Sequence, residues 1–279
     1  MITTTSVQVE PVGSGTVSGF SRLTSEGQGG MRELLQLLGG TDITQSPGVD
    51  IPVPVRRLHE GDSLFHEGGS AESIYFVRAG TFKVFCIGED GYEQVLGFSG
   101  RGELLGLDAI GTGRFANQAV ALEESSVYVV QLRDFFSISP RNPMLDRAVF
   151  RAVSDALQQR SELAEMMAAV AAEVRLARFL VHVSRRLAAN GQSSRGFHLR
   201  MSRRDIASYL GVAHETVSRS FTALANLGFV SVNNRAVDIV DMDGLRVFSA
   251  STRKQADEGQ RAHNSRSPAV RANAMPLMA

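Results

Sequence analysis

Residues 201–226 carry two short amphipathic helical patterns separated by one glycine, and few folds accommodate that combination. The apolar positions recur at helical spacing and are Ile206, Ala207 and Leu210 in the first pattern and Val217, Phe221 and Leu224 in the second. Ser202 stands where an N-cap would lie, with an acidic residue in the first turn. Gly211 suits the positive φ that a tight bend between two helices needs. The segment therefore predicts a helix-turn-helix.

The outward face of the second helix is polar and is predicted to contact DNA. Its members, near the end where a recognition helix contacts base edges, are His214, Glu215, Ser218, Arg219 and Thr222. Arginine can donate two hydrogen bonds to guanine, and glutamate can accept one from cytosine. The alternative is an ordinary surface pair of Glu215 with Arg219, which stabilises a helix by about 0.3–0.5 kcal/mol. The complete helix-turn-helix pattern favours the DNA-reading interpretation.

Two short alternating apolar runs, Phe229–Val232 and Val237–Val240, follow this segment and flank Asn233-Asn234-Arg235. A turn of this composition between two such runs predicts a β-hairpin, which would be the wing of a winged helix-turn-helix. Arg235 at the tip is a candidate phosphate contact, and we add Ser202 to the candidate DNA-binding residues.

The charge distribution agrees with a DNA-binding segment, although the net charge of the whole chain is zero. From Arg175 to Ala250 there are 11 arginines and 5 acidic residues, a net charge of +6. Such a basic segment is the electrostatic footprint of phosphate contact, and the alternative on charge alone is an ordinary basic surface. No apolar run approaches the ~18 residues of a membrane span, and no basic-then-apolar leader opens the chain. We therefore expect a cytoplasmic protein.

The first half of the chain contains short β-type runs separated by glycine and aspartate. The runs are Leu64–Phe65, Ile74–Val77, Phe82–Ile87, Gln94–Phe98 and Ser126–Leu132. Glu89-Asp90-Gly91 between two of them is a hairpin signal. Many short strands joined by turns predict a β-barrel or β-roll. No nucleophile–base pair accompanies these strands, so an enzyme is not expected.

A long helix is predicted over residues 143–172, with apolar positions in a heptad pattern. The pattern comprises Leu145, Val149, Ala152, Ala156, Gln159, Leu163, Met166 and Val170. A helix of that length is too long for one small domain to cover, so we expect a homodimer through this seam. Gln159 is a polar seam residue of the kind that fixes register. The alternative is a helix that packs lengthwise on its own barrel.

The predicted fold class is α+β, with an N-terminal β-roll, a long helix and a C-terminal winged helix-turn-helix. The expected parts are a disordered arm over 1–30, a β-roll sensor-type domain over 31–142, a dimerisation helix over 143–172, the DNA-binding domain over 173–250 and a disordered tail over 251–279.

This order of parts resembles the CRP/FNR superfamily over residues 50–248, as do several motifs. They are Arg57–Phe65, Ile74–Gly80, Gly102–Gly111, Asp205–Gly211 and Glu215–Arg219, and those at Gly102, Asp205 and Glu215 look like the FNR/FixK branch. The resemblance implies a cupin-like, cyclic-nucleotide-binding-type barrel. It also implies that Glu215, Ser218 and Arg219 read a TTGAT half-site. The hairpin residues that would contact RNA polymerase are Glu89, Asp90, Gly91, Tyr92 and Glu93.

The chain departs from the family's two known cofactor patterns. FNR holds an iron–sulfur cluster with four cysteines, whereas this chain has only Cys86, and its fourth ligand position falls on Tyr128. The cyclic AMP pattern retains Gly102 and Glu103. Its arginine–serine pair, however, falls on Phe115-Ala116, with Arg114 one place early. We therefore expect no iron–sulfur cluster and no cyclic AMP.

The leading hypothesis is a cofactor-free activator of genes for low-oxygen, nitrogen-oxide or related metabolism. The alternative within the same superfamily is a regulator gated by haem or another small ligand in its β-roll. Haem ligation by His59, His66 or His182 stays open, and Cys86 is predicted to be a packed or half-exposed strand residue. A partner-binding module that does not contact DNA is the remaining alternative.

Overall fold

The computed structural model of the 279-residue chain describes residues 27–39, 51–138, 143–169 and 171–251. Most of the predicted arm and all but the first residue of the predicted tail therefore lie outside the described residues. The arm was predicted to extend to residue 30, and that boundary is wrong, because Gly27–Gly30 forms strand β1. A Cβ at Gly29 would lie 2.5 Å from the ring of Tyr128, so a larger side chain at this position would collide with that ring.

The N-terminal domain is a β-roll of two packed sheets with short helices at its ends. Its elements are β1, α1 (Met31–Leu37), β2 (Pro52–Leu58), β3 (Ser63–Phe65), β4 (Ser73–Ala79), β5 (Phe82–Ile87), β6 (Glu93–Ser99), β7 (Leu104–Leu105), β8 (Gln118–Ala121), β9 (Ser125–Gln131) and α2 (Leu132–Ile138). The sheet orders are β1-β2-β9-β4-β7 and β3-β8-β5-β6. All five predicted runs fall on strands, except that Leu132 at the end of the last run begins α2, and this confirms the β-roll.

Two apolar clusters hold the roll together. Between the sheets, Phe65 and Phe115 stack with ring centroids 4.1 Å apart, and Phe82 and Val127 are fully buried beside them. On the outer side of the five-stranded sheet, α1 and Leu145 cover a second cluster. The sheet is thus buried on both faces, which explains why β4 and β9 are almost continuously apolar.

The long helix, α3, spans Pro143–Ala168, and a new helix, α4, spans Ala172–Ala189. One continuous helix was predicted to residue 172, and that prediction is wrong. The Arg175 guanidinium donates from Nε to the carbonyl oxygen of Ala169 at 2.7 Å and from Nη1 to that of Leu210 at 2.9 Å. One of these bonds thus satisfies the carbonyl directly after the end of α3, and the other joins the break to the end of α5, so the chain breaks here without a capping side chain.

The predicted seam faces the chain's own domains. Leu145 is fully buried against the β-roll, and Met166 is buried in the core of the C-terminal domain. For these two residues the dimer-interface prediction is wrong, because their contacts are already made within one chain. Five further members are half-buried, namely Val149, Ala152, Ala156, Gln159 and Leu163. Val170 lies outside the described residues.

The C-terminal domain is a winged helix-turn-helix, as predicted. After α4 come β10 (Gly196–His198), α5 (Arg203–Leu210), α6 (His214–Asn226), β11 (Val230–Asn233), β12 (Ala236–Ile239) and α7 (Met242–Ala250), with sheet order β10-β12-β11. The wing turns at Asn234-Arg235, where Asn234 has a φ of 54°. Within the described ranges, no helix is long and apolar enough to cross a bilayer.

Candidate DNA-binding site

A reciprocal capping box starts α5. The Ser202 hydroxyl accepts from the Asp205 backbone N–H at 3.1 Å, and the Asp205 carboxylate accepts from the Ser202 backbone N–H at 2.9 Å. Lys83 of the β-roll adds an ion pair to Asp205 at 3.1 Å. Burial raises the pKa of Asp205, but the bonds from Ser202 and the Lys83 charge outweigh it and hold the pKa below its ordinary value.

The bend between α5 and α6 fixes how the recognition helix is presented. Gly211 adopts a φ of 61°, as predicted from its position in the sequence. A Cβ there would also lie 2.6 Å from the terminal methyl of Met167. The predicted inner stripe of α6, formed by Val217, Phe221 and Leu224, is buried. The bend and the stripe together turn the opposite face of α6 toward solvent.

That opposite face carries all five predicted DNA-reading side chains. His214, Glu215, Ser218, Arg219 and Thr222 are exposed. Arg219 donates only a 3.3 Å hydrogen bond to the Thr216 hydroxyl. Within the described residues, Glu215 and Arg219 form no ion pair with each other, so the structure does not support the surface-pair interpretation. Both side chains can therefore bond a ligand without first breaking a strong contact.

A cationic pocket of about 480 Å³ lies between the start of α5 and the wing. It brings together three predicted residues, Ser202, His214 and Arg235. It also contains Arg203 and Arg204, which the sequence analysis did not select. Their signal was present in the sequence, since two consecutive arginines directly after an N-cap place positive charge beside the free N–H groups of a helix start.

The two added arginines have different environments. The Arg203 guanidinium lies 3.4 Å from the centroid of the Phe221 ring and donates to the Asn234 carbonyl oxygen at 2.7 Å. It therefore ties α5, α6 and the wing into one unit. Arg204 is exposed, and Arg235 donates a long 3.3 Å bond to the Arg200 carbonyl oxygen. Arg204 and Arg235 are the side chains of this pocket best placed to contact a phosphate.

Two family models match the chain. The cyclic nucleotide-binding domain matches residues 55–142, and the Crp-like helix-turn-helix domain matches residues 174–248. The fumarate and nitrate reduction regulatory proteins of Salmonella typhimurium and Escherichia coli K12 are each 35% identical to this chain over 199 residues, which are 71% of this chain and 80% of theirs. The chain belongs to the CRP/FNR family of transcription regulators.

Other similarities agree with this assignment. The transcriptional regulatory protein btr of Bordetella pertussis is 36% identical to this CRP/FNR protein over 190 residues, covering 68% of this chain and 78% of btr. The solved structure of FixK2 from Bradyrhizobium japonicum matches with a TM-score of 0.64 and 25% identity, over 72% of this chain and 98% of FixK2. The chain is thus a DNA-binding transcription regulator with the α+β architecture predicted from its sequence.

The β-roll of this CRP/FNR protein does not fit the cyclic nucleotide that its domain family implies. The Glu103 carboxylate is paired with the Arg186 guanidinium of α4, and 21% of its side chain is exposed. Phe115, where the resemblance requires arginine, is buried between the sheets. Arg114 is exposed and donates to the Gly68 carbonyl oxygen at 2.7 Å. The groups that would bind a cyclic phosphate and its ribose are therefore absent or already bonded.

The other candidate cofactor residues are dispersed. His59 pairs with Glu124 at the surface, and His182 pairs with Glu162 between α3 and α4. Burial, with the nearby arginine charges, lowers the pKa of His182 although Glu162 opposes the shift. Cys86 is half-exposed on β5, as predicted. No group of three or more metal-ligating side chains occurs in the part of the chain that the structure describes.

The predicted polymerase-contacting hairpin divides into two parts. Glu89, Asp90, Gly91 and Tyr92 are exposed at the tip between β5 and β6. Glu93 is also exposed, but its carboxylate is paired with Lys83 at 2.8 Å. The four tip residues therefore differ from Glu93, whose carboxylate is already paired with Lys83 of the neighbouring strand β5.

Proposed function

We propose that this CRP/FNR protein is a dimeric, cofactor-free transcription activator that reads palindromes of two TTGAT half-sites. The observation that carries this proposal is the exposed face of α6, where Glu215, Ser218 and Arg219 lie side by side and Arg219 makes, within the described residues, only the 3.3 Å bond to Thr216. Arginine can pair with guanine through two hydrogen bonds, and glutamate can accept from the amino group of cytosine. The cationic pocket beside α6 would hold the DNA backbone and fix the register.

Dimerisation is assigned to the outward stripe of α3 instead of the predicted seam. Phe150 is 73% exposed and Leu157 is 59% exposed. With four small residues they form a second heptad pattern, all of it exposed, comprising Phe150, Ser154, Leu157, Ser161, Ala164 and Ala168. A partner helix on this stripe would bury both large side chains. A two-fold dimer would then present two α6 helices to half-sites about one helical turn apart.

The target genes are inferred from the relatives. Two of them are named for the regulation of fumarate and nitrate reduction, so we assign this protein to low-oxygen, nitrogen-oxide or related metabolism in the cytoplasm. Activation would use the exposed tip of the β5–β6 hairpin, from Glu89 to Tyr92, as a contact for RNA polymerase. Nothing in this assignment requires an enzymatic activity.

The Arg219→Ala variant tests the base-reading role. A lost bidentate contact costs about 1–3 kcal/mol, or about 5- to 150-fold in affinity, and a dimer loses it at both half-sites. In a gel-shift titration we expect the variant to bind a TTGAT palindrome no better than a shuffled sequence. Arg246→Ala is the matched control, because Arg246 is an exposed α7 arginine paired with Asp243. Unchanged preference for the palindrome in Arg219→Ala would refute the assignment.

A second candidate is a regulator gated by a small ligand, and one cavity favours it. About 320 Å³ of space lies between the β-roll and α3, lined in part by Leu107, Asp108, Asn117 and Arg160. The absorbance spectrum of the purified protein separates the candidates, together with DNA binding measured in air and without oxygen. We expect a colourless protein with equal affinity in both conditions. A visible band, or oxygen-dependent binding, would favour the second candidate.

A further inference from the structure

The DNA-binding domain is docked on an open edge of the β-roll. Among the strands that the structure describes, β6 is the last of its sheet, so its outer backbone groups have no partner in any of them. The buried Ser208 hydroxyl of α5 accepts from the Val95 backbone N–H at 2.8 Å and donates to the Glu93 carbonyl oxygen at 2.7 Å. One side chain of the helix-turn-helix thus satisfies the edge where another strand would otherwise bind.

Aromatic packing surrounds this contact. Phe98 at the end of β6 lies 6.3 Å from Phe179 of α4 and 5.3 Å from Tyr209 of α5, measured between ring centroids. Phe98 belongs to the same apolar cluster as the core of the C-terminal domain. The two domains therefore share one continuous core at this point, so the contact is a packed interface.

An ionic contact extends the interface to α3. The Arg186 guanidinium of α4 pairs with the Glu103 carboxylate and donates to the Phe98 carbonyl oxygen at 2.8 Å. Glu103 also accepts a hydrogen bond from the Gly100 backbone N–H at 3.3 Å, and the Gln159 side chain of α3 lies near enough to favour its charged form. Glu103 thus contacts the β-roll, the long helix and the DNA-binding domain at once.

We propose that Glu103 and Ser208 are positioning residues that dock the DNA-binding domain on the β-roll, and that this docking fixes the orientation of α6 without a cyclic nucleotide. Glu103 belongs to the Gly-Glu pair that resembles the family's nucleotide-binding motif. In this protein the Arg186 guanidinium, which belongs to the chain's own DNA-binding domain, pairs with the Glu103 carboxylate. The β-roll is then a rigid support for the helix-turn-helix. The Glu103 carboxylate binds the Arg186 side chain in place of a ligand.

Docking has a geometric consequence for DNA binding, and this part rests on the proposed function. Because α5 is fixed to β6 and α6 packs on α5, the angle between α6 and α3 is fixed as well. In a dimer joined through α3, that angle sets the distance between the two recognition helices. Loss of docking would therefore relax the preference for one half-site spacing and leave contacts within each half-site intact.

The Ser208→Ala variant tests docking without DNA. Its readout is amide hydrogen exchange at Val95, whose N–H bonds the Ser208 hydroxyl. We expect exchange at Val95 to accelerate by on the order of ten-fold or more, because local opening governs protection. Ser220→Ala is the matched control, since the Ser220 hydroxyl is buried in α6 without a hydrogen-bond partner. It should leave Val95 protected.

The Glu103→Gln variant tests the ionic anchor and its effect on DNA. We expect faster Val95 exchange and a several-fold smaller preference for the native palindrome over one with its spacer lengthened by about two base pairs. Glu124→Gln is the control, because Glu124 is exposed and pairs with His59 at the surface. Cyclic AMP added to the wild-type protein should change neither readout. A merely structural role would lower stability without altering the spacing preference.

Three outcomes would overturn the proposal. They are Val95 exchange that stays slow in both Ser208→Ala and Glu103→Gln, an unchanged spacing preference in a folded Glu103→Gln protein that binds DNA, and a response of the wild-type protein to cyclic AMP. If the wild-type protein does not select the palindrome at all, the proposed function fails. The exchange measurements then still decide whether the domains are docked.

Discussion

The long helix α3 and the recognition helix α6 each turn one face to their own chain and the other to solvent, but their outward faces differ in chemistry. On α3 the outward stripe carries Phe150 and Leu157 among small residues. On α6 the outward face carries Glu215, Ser218 and Arg219. An apolar stripe gains free energy when another apolar surface covers it, whereas free donors and acceptors gain by bonding base edges. The difference supports the proposed protein partner for α3 and the proposed DNA contact of α6.

The largest effect is expected from Leu157→Asp, which places a charge on the outward stripe of α3. Burying a leucine stabilises by about 1.5–3 kcal/mol, and a two-fold interface contains the residue twice. The substitution would also bring two like charges together where the outward stripes of the two α3 helices meet. Light scattering should show a monomer, and affinity for the palindrome should fall. Gln158→Asp, next in the chain but off the stripe, should remain dimeric. A dimeric Leu157→Asp protein would remove the contrast between the two outward faces.

A smaller effect is expected from Leu145→Ala, which tests the inward face of α3. Leu145 is fully buried against the β-roll, and removal of a buried leucine side chain typically costs about 2–5 kcal/mol. Urea unfolding at one fixed protein concentration should show this loss while the protein stays dimeric. Leu157→Ala is the matched control and should change the oligomeric state more than the fold. If Leu145→Ala instead gave a stable monomer, the predicted seam would be restored.

The smallest effect is expected from Ser202→Ala, at the N-cap of α5, the helix on which α6 packs. Loss of an N-cap costs about 1 kcal/mol, and Ser202→Thr should retain most of that stability. The Asp205 carboxylate, whose pKa lies below its ordinary value, stabilises the fold above the ordinary carboxyl pKa, and this contribution disappears as the pH falls through the lowered pKa. The deficit of Ser202→Ala in urea unfolding should therefore be larger near about pH 7 than below about pH 3. A deficit independent of pH would contradict the coupling between the cap and Asp205.

The helix-turn-helix was predictable because its determinants are close together in the chain. The cap at Ser202, the bend at Gly211 and the inner stripe that includes Val217 all lie within one short segment. Helical periodicity in the sequence indicates which side of α6 is buried. One of the elements that cover this side is α5, which directly precedes α6 in the chain. The wing and the five predicted strand runs depend on equally local signals, namely alternation and turn residues.

The same periodicity on α3 identified a buried stripe but assigned it to the wrong partner at both ends. A heptad pattern indicates that one face of a helix is buried. It does not indicate whether a second copy of the chain or the chain's own domains bury that face. Leu145 and Met166 lie at opposite ends of α3 and pack into two different cores. The strand at Gly27–Gly30 was missed for a related reason, since glycine-rich sequence carries no strand pattern.

By itself, the sequence determined the local elements, the family and which face of α6 is exposed, because these depend on residues a few positions apart. The tertiary structure alone decided what each surface contacts. The Ser208 contact with Val95 joins residues 113 positions apart, and the Arg186 contact with Glu103 joins residues 83 positions apart. Pairings over such distances depend on how the domains pack, and no periodicity or motif within one segment encodes them.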